Sequence, residues 1–122
     1  MAVDKSRFPD EVLEVYRSAA REPGALTAML NWYRANAFQG TFKEKFEVLE
    51  TPTLMVWGKV DSALGVGMTD ATDELVRDFT LRLLPDVSHW VQQEAPEIVN
   101  ETVEAWLTGQ TVPEFDRPKE VT

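Results

Sequence analysis

The sequence predicts an α/β protein built on parallel strands, and three observations predict it. Two stretches before residue 40 repeat apolar residues at helical spacing. A compact apolar run, Pro52 to Gly58, is closed by a glycine, as in a strand buried on both faces of a parallel sheet. Phe79 to Leu84 alternates as a second strand does and precedes another helical repeat. The expected order is two helices, then strand, helix, strand and helix, with a right-handed crossover.

Each element follows from local chemistry. Pro9 with Asp10 and Glu11 suits a helix start, Val12, Val15, Tyr16 and Ala19 repeat on one face, and Pro23-Gly24 stops the run. A second helix is expected from Ala25 to about Ala37, with Leu26, Met29, Leu30 and Tyr33 on one face and Gly40 beyond its end. Thr41 to Glu50 suits a short helix or connector. Between the strands, Ala71 to Asp78 has helical character, and Pro85-Asp86 ends the second strand. Glu94-Ala-Pro-Glu97 begins the last helix, whose face is marked by Ile98, Val99, Thr102, Val103, Trp106 and Leu107, with Gly109 past its end. Residues 110–122, with two prolines and scattered charges, are expected to be a flexible tail.

Composition narrows the functional classes. A chain of 122 residues suits one domain, and 43% hydrophobic with 27% charged residues is ordinary for a folded globular protein. The net charge of −9 argues against nucleic acid, whose binding needs clustered Lys and Arg, and against an anionic membrane surface. No cysteine is present, so disulfides and thiolate chemistry are excluded; one histidine without cysteine weighs against a metal site, and nothing implies a cofactor. The first residues lack the apolar run of a signal peptide and no stretch approaches a bilayer span, so a cytoplasmic location is the default expectation.

In open α/β sheets, reactive groups gather beyond the carboxyl ends of the strands. Asp61 lies three residues past the first strand, in Trp57-Gly-Lys-Val-Asp61, and His89 follows the second, in Pro85-Asp-Val-Ser-His-Trp90. Strand tips lie about 5 Å apart when the strands are neighbours and about 10 Å apart with one strand between, so a carboxylate and an imidazole placed there can meet as the rear half of a nucleophile–His–acid device. Position alone leaves a plainer duty open: Asp61 as a turn or capping residue, His89 as an ordinary strand-end histidine. Trp57 and Trp90 flank the same place as packing or pocket-lining groups. Glu94 and Glu97 suit first-turn helix charges, and Gly65-Val-Gly67 is too short for a phosphate loop.

Three separated segments carry a family resemblance. Thr51-Pro-Thr-Leu-Met-Val-Trp-Gly-Lys-Val-Asp-Ser-Ala-Leu64 resembles the α/β-hydrolase strand P-x-L-x-x-W-G that leads into the triad acid. Leu81 to Glu97, containing Ser-His-Trp before the final helix, is similar to the closing segment of epoxide hydrolases. Leu26 to Ala35 contains Leu-Asn-Trp-Tyr-Arg, resembling an element of the epoxide hydrolase cap. The resemblance implies a partial α/β-hydrolase fold: 1–40 as the C-terminal part of a helical cap, 41–109 as the C-terminal part of the core. It puts Asp61 on the triad acid, His89 on the catalytic base and Tyr33 on a cap tyrosine that polarises the epoxide oxygen. Tyr16 matches no such motif.

The family's His-Gly oxyanion segment and nucleophile elbow do not occur before Asp61. Two parallel strands also leave edges unpaired, so the sheet needs completion by an N-terminal half, a second copy or a rearrangement. Two hypotheses result. One is a hydrolase segment that acts on a small-molecule substrate when completed. The other is a non-catalytic assembly module that retains triad relics and forms a homo-oligomer through its sheet edge.

Overall fold

The computed structural model describes residues 2–37 and 47–115. Residues 41–46 of the expected connector, Gly40 and residues 116–122 of the tail lie outside the described residues. The chain divides into two compact units, Phe8–Phe46 and a second that joins Met1–Arg7 to Glu47–Thr122.

The first unit is a helical hairpin. Helix α1, Asp10–Arg21, starts after Pro9, whose carbonyl accepts the N–H groups of Val12 and Leu13 at 3.0 Å each. The Pro23-Gly24 turn leads into α2, Ala25–Ala37, matching the expected bounds. Neither the α1 residues nor the expected α2 face of Leu26, Met29, Leu30 and Tyr33 is buried. Ion pairs such as Arg17 with Asp10 and Glu14 are exposed and contribute only about 0–1 kcal/mol each, so the hairpin has little core of its own.

The second unit is built around strand β1, Thr53–Gly58, and strand β2, Phe79–Leu84, paired in parallel from Thr53↔Phe79 to Gly58↔Leu84. A parallel bridge between Leu49 and Val76 extends the ladder upstream. That bridge explains a departure from expectation, since the helix anticipated over Ala71–Asp78 is replaced by short 3-10 turns at Val66–Thr69 and Thr72–Glu74. Ala71 takes a left-handed φ of 58° just before the second turn, and Val76 is drawn into extended pairing with Leu49. A helix across that stretch would forfeit both.

Past β2 the chain forms a short helix α3, Val91–Glu94, breaks at Ala95, and continues as α4, Pro96–Leu107. Proline lacks an N–H and disfavours helical geometry in the residue before it, so the break falls at Ala95, and the final helix starts later than Glu94. On α4, Thr102 and Ala105 are buried and Ile98 and Val99 pack against the core, whereas Val103 and Leu107, expected on that face, are exposed. The core is Leu84, Val87 and Ala95 with Val56, Val91, Ile98, Val99 and Phe115 around them.

Phe115 corrects the expectation for the tail. Residues 110–115 are fastened: Arg82 donates from Nε to the Pro113 carbonyl at 2.6 Å and from Nη2 to the Val112 carbonyl at 3.0 Å, while Gly109, at φ 67°, turns the chain off α4. The first residues are fastened as well. Val3 and Asp4 donate their N–H groups to Glu94 Oε2 at 2.8 and 3.2 Å, and Arg7 forks onto both oxygens of Glu97 at 3.1 Å. These bonds tie residues 3–7 to the strand-bearing unit, of which Met1–Arg7 form the first segment. Among the described residues no helix is long and apolar enough to cross a membrane.

Gly58 sets how closely the two strand ends converge. A Cβ at this position would lie 2.2 Å from the Ser88 carbonyl oxygen and 2.3 Å from that of Val87, and neither main-chain group has room to yield. Overpacking of this kind costs typically about 1–3 kcal/mol and here belongs at the upper end. Gly58→Ala is therefore expected to lower stability by about 3 kcal/mol, read as a shift of the urea midpoint at unchanged slope; a variant as stable as the parent would contradict the packing described.

Candidate active site

The loops after the two strands are bonded to each other. Lys59 donates its N–H to the Leu84 carbonyl at 3.0 Å and Val60 to the Val87 carbonyl at 3.2 Å, an approach that the absent side chain of Gly58 permits. Those bonds hold Asp61 beside His89. Asp61 Oδ1 accepts the N–H groups of Ala63 at 2.8 Å and Leu64 at 2.9 Å, which fixes the carboxylate in its own loop. Oδ2 meets His89 Nδ1 at 2.8 Å. The Asp61 side chain is only 4% exposed, while that of His89 is 39% exposed, so the carboxylate stands behind an imidazole that faces outward.

The electrostatics fix the direction of this bond. Desolvation pushes the Asp61 carboxyl up, but the Leu64 N–H, the His89 ring and the Ala63 N–H together outweigh it and leave the pKa below the ordinary value. An ionised carboxylate can only accept, so His89 donates from Nδ1 and Nε2 is the unprotonated nitrogen of the neutral ring.

A cavity of about 170 Å³ opens at the pair, lined by Val56, Trp57, Gly58, Asp61, Leu64, His89 and Val91. Trp57 therefore borders the same space as the pair, and its buried Nε1 has no hydrogen-bond partner among the described residues. Trp90 does not line this cavity; its ring stands edge-on to His89 with centroids 5.8 Å apart. Tyr33 belongs to the helical unit, where it is 66% exposed with its ring edge-on to Trp32 at 5.2 Å. A larger groove of about 280 Å³ lies at Leu81, Arg82, Leu83, Glu114 and Phe115, but its one guanidinium is occupied by backbone carbonyls.

Three residues of this region escaped sequence reasoning. Gly58 registers only as a strand-ending glycine. Ser88, fully buried, donates its hydroxyl to Glu94 Oε1. Glu94, expected like Glu97 as a first-turn helix charge, lies in the single turn of α3 but is only 7% exposed, and Glu97 occupies the first turn of α4. The available signal was a hydroxyl beside the histidine with a carboxylate six residues on.

Parallel strands, with an acid and an imidazole hydrogen-bonded beyond their carboxyl ends, define the chain's class, and the comparisons agree: it belongs to the α/β-hydrolase superfamily and corresponds to the C-terminal part of that fold. Within it, epoxide hydrolases recur among the relatives. The chain is 37% identical over 103 residues to the AB hydrolase superfamily protein YfhM of Bacillus subtilis, covering 84% of this chain and 36% of that protein. It is 38% identical over 102 residues to Epoxide hydrolase 4 of Homo sapiens, covering 83% of this chain and 28% of that protein. A point mutant of an epoxide hydrolase from Bacillus megaterium superposes with a TM-score of 0.75 at 26% identity, over 85% of this chain and 39% of the other. The chain thus spans about a third of the length of these relatives. No family model matches the sequence.

The hydrogen-bond direction can be checked without activity. In Asp61→Asn the amide oxygen can keep the Ala63 and Leu64 N–H groups, which turns the NH₂ toward Nδ1 and forces the ring proton onto Nε2. Imidazole ¹⁵N shifts are expected to report Nδ1–H in the parent and Nε2–H in the variant. Because the folded carboxyl titrates below its ordinary value, the charged acceptor persists at neutral pH and is lost only as the pH falls below the usual aspartate range. A His89 resonance with the same tautomer in both proteins would rule out the assigned bond.

Proposed function

We propose that this chain supplies the acid and the base of an epoxide-hydrolase-like α/β-hydrolase. Asp61 orients His89 and supports its positive charge, and His89 Nε2 removes a proton from water. The 2.8 Å contact between Asp61 Oδ2 and His89 Nδ1 is the observation that carries this reading, because it leaves the outward nitrogen as the acceptor.

The reaction requires a nucleophile that these residues do not provide in an elbow turn, so an aspartate on a complementary part of the fold takes that role. Its carboxylate attacks an epoxide carbon, the C–O bond breaks, and the oxygen leaves as an alkoxide that receives a hydrogen bond and then a proton. Tyr33, as the resemblance implies, is that donor. The product of this step is an ester. Water, deprotonated by His89, attacks the ester carbonyl; the acyl C–O bond breaks, the diol oxygen takes the proton of the newly formed carboxyl so that the carboxylate is regenerated, and the proton held by His89 returns through solvent to the Tyr33 oxygen. Trp57, on the wall of the cavity beside His89, and Trp90, whose ring adjoins the histidine, provide apolar contact for the substrate.

The purified chain is expected to hydrolyse neither styrene oxide nor p-nitrophenyl acetate. Adding the N-terminal half of an epoxide hydrolase is expected to give turnover, which His89→Gln lowers by about 10²–10⁴-fold, the usual worth of a general base. Tyr33→Phe in the same mixture is expected to cost about 10²–10³-fold, the worth of one oxyanion donor. Turnover by the chain alone that survives His89→Gln would overturn the proposal.

A further inference from the structure

We propose that Glu94 is a positioning residue for His89, holding the main chain just before the imidazole by joining it to the N-terminal segment. The proposal rests on the reading of His89 as the base but concerns a residue that touches no substrate.

The carboxylate of Glu94 is a junction. Oε1 accepts the Ser88 hydroxyl, and Oε2 accepts the N–H groups of Val3 and Asp4 at 2.8 and 3.2 Å. The hydroxyl of the residue directly before His89 thus converges on one side chain with two N–H groups from residues 90 and 91 positions before Glu94. A carboxylate offers about four lone-pair sites, and three of them are taken by these donors. Burial pushes this carboxyl up, and the bonds from Ser88, Val3 and Asp4 more than compensate, leaving it below its ordinary value and ionised at neutral pH.

The opposite side of the same stretch is fixed by backbone. The Val87 and Ser88 carbonyls press onto Gly58, and Val87 accepts the N–H of Val60. The His89 loop is therefore clamped between Gly58 and Glu94, and only the Glu94 side can be released without moving a strand. Its release leaves the buried Ser88 hydroxyl and two N–H groups without their acceptor, a state that costs more than the bonds alone contribute. The loop is expected to shift until water reaches those donors, and His89 moves with it relative to Asp61.

Two substitutions separate positioning from mere stability. Glu94→Gln keeps the shape but has one acceptor oxygen and an NH₂ donor, so it can satisfy either Ser88 or the N-terminal pair, not both. Ser88→Ala removes the hydroxyl alone and leaves the fold's packing nearly intact. Thr102→Ala serves as a control: among the described residues this buried threonine on α4 bonds its own helix, at the Ile98 carbonyl, and is not among the residues lining the cavity. The readout is the His89 imidazole in the full chain, from its ¹⁵N shifts and the downfield Nδ1–H proton signal. Glu94→Gln and Ser88→Ala are expected to lose the downfield signal and to mix the two tautomers, while Thr102→Ala keeps both features of the parent even at an equal loss of thermal stability. An unchanged His89 spectrum in folded Ser88→Ala and Glu94→Gln would overturn the proposal, as would a Thr102→Ala control that loses the signal equally. Should Glu94→Gln fail to fold, Ser88→Ala alone decides. Because the measurement reads the Asp61–His89 bond and not turnover, a spectrum that responds as expected in a protein inactive even when complemented would refute the hydrolase reading and leave the positioning role standing.

Discussion

The convergence of two chain segments beyond the sheet, made possible where Gly58 meets the carbonyls of Val87 and Ser88, governs the rest of this structure. Parallel pairing alone brings strand ends side by side, but it does not join the loops beyond them. Here the missing side chain lets Val60 bond to Val87, and that bond continues the ladder into the loops. Asp61 and His89 are then no longer residues of two independent loops. They belong to one hydrogen-bonded layer, and their separation is set by backbone.

Much of this was legible in the sequence, for identifiable reasons. β1 is legible because Leu54 to Trp57 is an unbroken apolar run and β2 because Phe79 to Leu84 alternates, and the carboxyl-end rule then points to Asp61 and His89. The inferences that failed were those from local pattern where a distant partner decides. The stretch from Ala71 has helix-forming residues, yet Leu49 claims Val76. Glu94 stood where dipole charges usually stand, yet Ser88, Val3 and Asp4 bury it. The tail looked unfastened because the acceptors for Arg82 are carbonyls, which every residue has and no composition reveals. The role proposed for Tyr33 comes only from a resemblance, since helical spacing cannot distinguish a reactive phenol from a packing one.

The two units differ in how they are held. The strand-bearing unit has a small core at Leu84, Val87 and Ala95, whereas the helical hairpin leaves Trp32, Leu30 and Met29 largely in solvent. Surface apolar groups in such density are unusual for a self-sufficient unit. The relatives that match most of this chain are about three times its length, which is in keeping with elements whose apolar faces belong to a larger assembly of the fold.

The two ends of the strand-bearing unit are moored by opposite chemistries. At one end the anchors are carboxylates, Glu94 for Val3 and Asp4 and Glu97 for Arg7; at the other, a guanidinium grips neutral carbonyls. Acid can neutralise the first kind of mooring and has no purchase on the second. Progressive acidification should accordingly fray this unit in one direction, amino end first, with the stretch around Phe115 the last to let go.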